Sequence, residues 1–66
     1  MNQFNCIIIE DEPLATEVLT GYINQVPVLK LINSFEDAIS SLATIQSSKI
    51  DLIFLDIHLP LLKGFD

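Results

Sequence analysis

The chain has 66 residues, half of them hydrophobic, with three lysines, no arginine and nine carboxylates, giving a formal charge of −6. That length admits at most one small domain, which buries only about 60% of the surface its unfolded form exposes. The apolar content excludes a disordered tail, and the acidity excludes nucleic acid or anionic lipid as a direct partner of this segment. No apolar run approaches the roughly 20 residues needed to span a bilayer. The start, Met1-Asn2-Gln3-Phe4-Asn5, lacks the basic patch and cleavage site of a signal peptide. Cys6 is the one cysteine and sits in an apolar run, so it reads as a buried, inert thiol in a reducing, cytoplasmic setting.

Phe4 to Ile9 (FNCIII) is rich in β-branched residues and ends at a charged run, as expected of a central strand buried on both faces. Pro13 fits the first position of a helix, where a missing N–H costs nothing, and Glu12 suits the positive helix end beside it. From Leu14 to about Asn24, Leu14, Ala15, Val18, Leu19, Tyr22 and Ile23 recur at helical spacing as one apolar stripe, and Pro27 stops the helix. Val28 to Ile32 reads as a short second strand at an edge. Ser34-Phe35-Glu36-Asp37 has the form of a helix start, with Ser34 as cap and acids in the first turn. Ala38, Ile39, Leu42, Ala43 and Ile45 make a second stripe. Asp51 to Asp56 (DLIFLD) is a third apolar strand, followed by a loop, His58 to Gly64, punctuated by proline and glycine.

Strands alternating with helices imply a parallel sheet joined by right-handed crossovers. The first and third strands are the most apolar and are therefore expected to be central, with the second at the edge, giving the order 2-1-3. Chain direction then reverses between the two crossovers, sending one helix to each face. The loops after the first and third strands diverge and leave a crevice at their carboxyl ends, where open α/β sheets bind ligands. Glu10, Asp11 and Asp56 stand at those ends. Carboxylates sharing a crevice repel one another, and a hard divalent cation relieves the repulsion. Magnesium suits a site of few protein carboxylates, several waters and a phosphoryl oxygen.

The stretch Ile8-Ile9-Glu10-Asp11-Glu12-Pro13-Leu14-Ala15 resembles the opening of a bacterial response-regulator receiver domain. Leu55-Asp56-Ile57-His58-Leu59-Pro60-Leu61-Leu62-Lys63-Gly64 resembles that family's phosphoacceptor strand and loop. The resemblance implies a flavodoxin-like α/β fold, of which residues 1–66 would be the N-terminal half: three strands, two helices and the following loop. It implies that Asp56 accepts a phosphoryl group from a phosphohistidine on a sensor histidine kinase. Asp11 and Asp56 would be direct Mg2+ ligands, the backbone carbonyl of His58 would be the third protein ligand, and Glu10 would hold the metal through water. Asp is commoner than Glu at position 10, and Leu59 replaces a frequent Met. The run Asp11-Glu12-Pro13-Leu14-Ala15 is similar to receivers joined to LytTR-type DNA-binding domains. The implied protein is a regulator and not an enzyme, relaying its signal to a DNA-binding output domain outside this chain.

Receivers continue through two more strands and three more helices that carry a Ser or Thr and a Lys for contacting the phosphoryl group, so the chain reads as truncated. The third strand would then be left as an exposed edge, and the isolated piece is expected to associate with itself or fold poorly. An interaction module that never carries phosphate is the main alternative. An aspartate-based phosphohydrolase fits less well, because its D-x-D motif is absent at Asp56-Ile57-His58. His58 has no second histidine to share a metal with its ring. Lys63 reads as a solvated loop residue, Tyr22 and Phe35 as packing residues, and Asp51 as a solvent-facing strand start.

Overall fold

A computed structural model describes residues 2–55. Five elements follow one another: β1 (Phe4–Ile9), α1 (Pro13–Asn24), β2 (Leu29–Phe35), α2 (Ala38–Ser47) and β3 (Leu52–Leu55). The strands form one sheet in the order β2-β1-β3, with both pairings parallel. This is the 2-1-3 order that the alternation and the apolar content of the strands anticipate, and it matches the flavodoxin-like fold that the resemblance implies. No helix among the described residues is long and apolar enough to cross a membrane.

β1 is central because every one of its last four residues is apolar or small and can be covered from both sides. Cys6, Ile7 and Ile8 are fully buried and Ile9 nearly so. Side chains alternate across a strand. Cys6 and Ile8 therefore share one face, where they pack with Ile23 and, at the margin, Leu19, Leu29, Leu31 and Phe54. Ile7 and Ile9 occupy the other face, to which the right-handed crossover rule sends α2.

β2 runs three residues beyond the expected Ile32, and the reason lies in its pairing. A register shift between Cys6 and Ile7 leaves Ile32 as an extra residue, after which Asn33, Ser34 and Phe35 align with Ile7, Ile8 and Ile9. Ser34 is therefore a strand residue and not the cap of α2. The cap is Asp37, whose Oδ1 accepts the Ser40 N–H at 2.8 Å.

The two helical stripes also divide differently from the sequence expectation. On α1, Ile23 is buried and Ala15 and Leu19 are half-buried, while Leu14, Val18 and Tyr22 are exposed. Tyr22 is thus not a packing residue here. The apolar arc of α1 is wider than the three-stranded sheet can cover, so its second row faces outward. On α2 the buried residue is Ser41, whose hydroxyl donates to the Ala38 carbonyl at 2.6 Å. Ser41 can be buried because its polar group is satisfied within its own helix. Ile45 is half-buried, whereas Ala38, Ile39, Leu42 and Ala43 are exposed.

β3 is the outer strand on the side away from β2. Leu52, Ile53 and Leu55 are all exposed, and Phe54 alone reaches the core margin. Asp51 is exposed as expected, but it also fixes register. Its Oδ2 accepts the Asn5 N–H at 2.8 Å, and its own N–H donates to the Asn5 carbonyl at 2.7 Å.

Candidate functional site

The candidate site begins where β1 ends. Ile9 is in register with Phe35 on one side and Leu55 on the other, so the carboxyl ends of all three strands lie level. Glu10 continues the strand direction by donating its N–H to the Phe35 carbonyl at 2.8 Å. Its side chain is only 5% exposed, and Oε2 accepts the Glu12 N–H at 2.9 Å. Asp11 and Glu12 are exposed. Glu12 is the N-cap residue of α1, with extended backbone and no side-chain capping bond, and its carbonyl takes the Thr16 N–H at 3.0 Å. Pro13 follows in the first turn, where it leaves no N–H to satisfy.

Two open recesses flank this turn, and Glu10 lines both. One, of about 300 Å3, lies between the ends of β1 and β2 and is bordered by Asp11, Pro13, Thr16, Ser34, Phe35 and Glu36. The other, of about 290 Å3, lies between α1 and β3 and is bordered by Ala15, Leu19, Phe54 and Leu55. Glu36 is the participant the sequence reading did not place at the site. The sequence pattern makes Glu36 a first-turn acid of α2, yet it reaches the recess because β2 extends to Phe35. The strand-extending residues Asn33 and Ser34 carry no sequence signal for that extension.

The described residues thus supply Glu10 and Asp11 at one end of the sheet. Asp56 follows Leu55 directly in sequence but lies, with His58 and the whole loop from His58 to Gly64, outside the described residues. Among the described residues no three His, Cys, Asp or Glu side chains group closely enough to hold a metal ion. The donors present fit magnesium in kind: they are carboxylate oxygens, and this ion takes one or two protein carboxylates and keeps several waters. Cys6, a softer ligand, is buried in the core, where it is half of a weak hydrogen bond to the Lys30 carbonyl and burial pushes its thiol pKa up.

Comparison with known proteins bears on this geometry directly. The family model described as the response regulator receiver domain matches residues 6–66. Protein MrkE of Klebsiella pneumoniae is 43% identical over 58 residues, covering 88% of this chain and 22% of the relative. The transcriptional regulatory protein YpdB of Escherichia coli K12 is 38% identical over 58 residues, covering 88% and 24%. The sensory transduction protein LytT of Enterococcus faecalis is 37% identical over 60 residues, covering 91% and 25%. The chain spans about a quarter of the length of these relatives. No solved structure matches it. With its 2-1-3 parallel sheet and a family match that runs from the buried Cys6 to the last residue, the chain belongs to the response regulator receiver domain family.

Proposed function

We propose that this chain is the phosphoacceptor part of a two-component response regulator, with Asp56 as the acceptor. The observation that carries the reading is the register of Ile9 with Leu55. The residues that follow these two in sequence are Glu10 and Asp56, so the acidic turn and the acceptor belong to neighbouring strand ends. The donor is a phosphohistidine of a sensor histidine kinase. A carboxylate oxygen of Asp56 attacks phosphorus, the P–N bond breaks, the released imidazole takes up a proton, and an acyl phosphate remains on Asp56. Magnesium, when bound, neutralises the charge that gathers on the phosphoryl oxygens during in-line transfer. Asp11 and Asp56 would hold the ion directly, Glu10 through water, and the His58 carbonyl would complete the protein ligands.

The domain is regulatory. Residues 1–66 form the first half of the receiver, and the signal passes to a DNA-binding output of the LytTR type, a reading supported by the run Asp11-Glu12-Pro13-Leu14-Ala15 and by a relative named as a transcriptional regulatory protein. The setting is cytoplasmic, where the kinase presents its phosphohistidine. The test is to incubate the full-length protein with Mg2+ and acetyl phosphate and to locate the added phosphoryl group by mass spectrometry. Wild type gains one group on Asp56, chelation abolishes the gain, and Asp56→Asn does not label. Equal labelling of Asp56→Asn defeats the assignment. Partner binding indifferent to both magnesium and phosphodonor would instead make the chain a plain interaction module.

A further inference from the structure

The turn that carries Asp11 is held at both ends by Glu10. At the main chain, the Glu10 N–H is bound by Phe35 of β2. At the side chain, Oε2 takes the N–H of Glu12, the residue from which α1 starts. Three features make this second bond matter. The Glu12 side chain makes no capping bond of its own, Pro13 brings no N–H to the first turn, and the Glu10 carboxylate is almost wholly buried. The bond between the Glu10 carboxylate and the Glu12 N–H therefore ties the end of β1 to the start of α1, and Asp11 is the single exposed residue spanned by it.

We propose that Glu10 is a positioning residue, a latch whose hydrogen bond to the Glu12 N–H fixes the turn presenting Asp11. The proposal rests on the reading of Asp11 as a metal-holding carboxylate. It assigns Glu10 a task other than holding the ion through water, and that task needs an acceptor oxygen at the right reach but no charge. A charged acceptor strengthens such a bond, yet a neutral amide oxygen can still make it.

This separates two variants of equal length. Glu10→Gln and Glu10→Met both remove the charge, so any purely electrostatic loss of Mg2+ affinity is common to them. Only Gln retains an acceptor for Glu12; because that oxygen could equally serve a metal-bound water, the exchange rates are read without Mg2+, where only the latch acts. Met is apolar and long enough to fill the buried space, so the variant keeps its fold, which far-ultraviolet circular dichroism verifies. In the full-length protein, hydrogen exchange read by nuclear magnetic resonance should show the Glu12 amide exchanging at least tenfold faster in Glu10→Met than in Glu10→Gln. Titration with MgCl2 should give a dissociation constant at least threefold weaker for Met than for Gln.

Equal Glu12 exchange in the two variants overturns the latch. Faster exchange with equal magnesium affinity overturns its positioning role. If the wild type takes up no Mg2+ and Asp11→Asn changes nothing, the phosphoacceptor reading of the site fails. The exchange rates then still decide whether Glu10 holds the turn.

Discussion

Replacing one isoleucine on the central strand and one on the outer strand measures how the stability of this sheet is distributed. Ile8 is fully buried among Cys6, Ile23 and their neighbours, whereas Ile53 is 46% exposed on β3. Ile8→Ala removes three carbon groups from a dry site, a transfer loss of about 2.4 kcal/mol at roughly 0.8 kcal/mol per group. The cavity left behind raises the cost to roughly 3–5 kcal/mol. Ile53→Ala removes the same groups from a position that is about half wet, so it should cost about 1.3 kcal/mol and leave no closed cavity. A chain of 66 residues has roughly 3–10 kcal/mol in total to lose.

Ile8→Ala should therefore abolish or nearly abolish the folding transition, and Ile53→Ala should shift its urea midpoint downward by about 1 M. Circular dichroism during urea titration reads both. The exposed β3 edge adds a concentration dependence. Self-association of the 66-residue segment through this edge, as expected from the sequence, would stabilise the folded form by mass action, so the wild-type midpoint should rise with protein concentration. Ile53→Lys should remove that rise. Equal losses from Ile8→Ala and Ile53→Ala in dilute solution would refute the reasoning, because they would mean that β3 is as buried as β1 without any partner.

Two further measurements test groups away from the site. The raised pKa of Cys6 means that the unfolded thiol, with a pKa of about 8.5, releases its proton before the folded one does, so stability falls as pH rises above that value. Thiol-reagent labelling of Cys6 should accordingly be slow in buffer and fast in urea; rapid labelling of the folded protein would contradict its burial. The hydrogen bond from the Ser40 N–H holds the Asp37 carboxyl below its ordinary value. Its stabilising contribution is present above the usual Asp pKa of about 3.9 and is lost as pH falls through the lower folded value. Asp37→Ala should speed exchange of the Ser40 amide and remove this acid sensitivity, and Asp37→Ser should restore much of the protection. Exchange at Ser40 unchanged in Asp37→Ala would disprove the cap.

What could be read from the sequence followed from how many physical signals agreed at each place. At β1, β-branched composition, apolarity on both faces and a charged stop all coincide, and the strand is found at Phe4–Ile9 as expected. Pro13 marks the start of α1 without ambiguity, because proline tolerates few other helical positions. Ser34-Phe35-Glu36-Asp37 reads as a helix start capped by Ser34, but Asp37 has the same capping chemistry and local sequence does not exclude it. Pairing with β1 decides: the extra residue at Ile32 carries Ser34 into the sheet and leaves Asp37 as the cap. The helical stripes were visible as periodicity, but which row faces the sheet depends on how much sheet there is to cover. For the same reason, Ser41 gave no sign of burial, since it needs a close helix approach that only the packed structure supplies. At the site, Glu10 and Asp11 were legible from their place after β1, whereas Glu36 arrives only with the extended β2.

The acidic turn is braced from three directions, and this is why the central strand governs both the core and the site. At the far end of the sheet, Asn5 exchanges hydrogen bonds with Asp51, and its side chain donates to the Lys49 carbonyl at 2.9 Å. These bonds set how β3 enters beside β1, and the parallel ladder carries the setting along until Leu55 stands level with Ile9. On the other flank, the Ile32 bulge advances β2 just enough for the Phe35 carbonyl to meet the Glu10 N–H. The side chain of Glu10 then ties the same point to α1. A one-residue slip at either flank would turn every β2 or β3 side chain to the opposite face, exposing Leu31 or Phe54 from the core. The hydrophobic cost of that slip is what holds the end of β3, and with it the residue before Asp56, opposite the acidic turn.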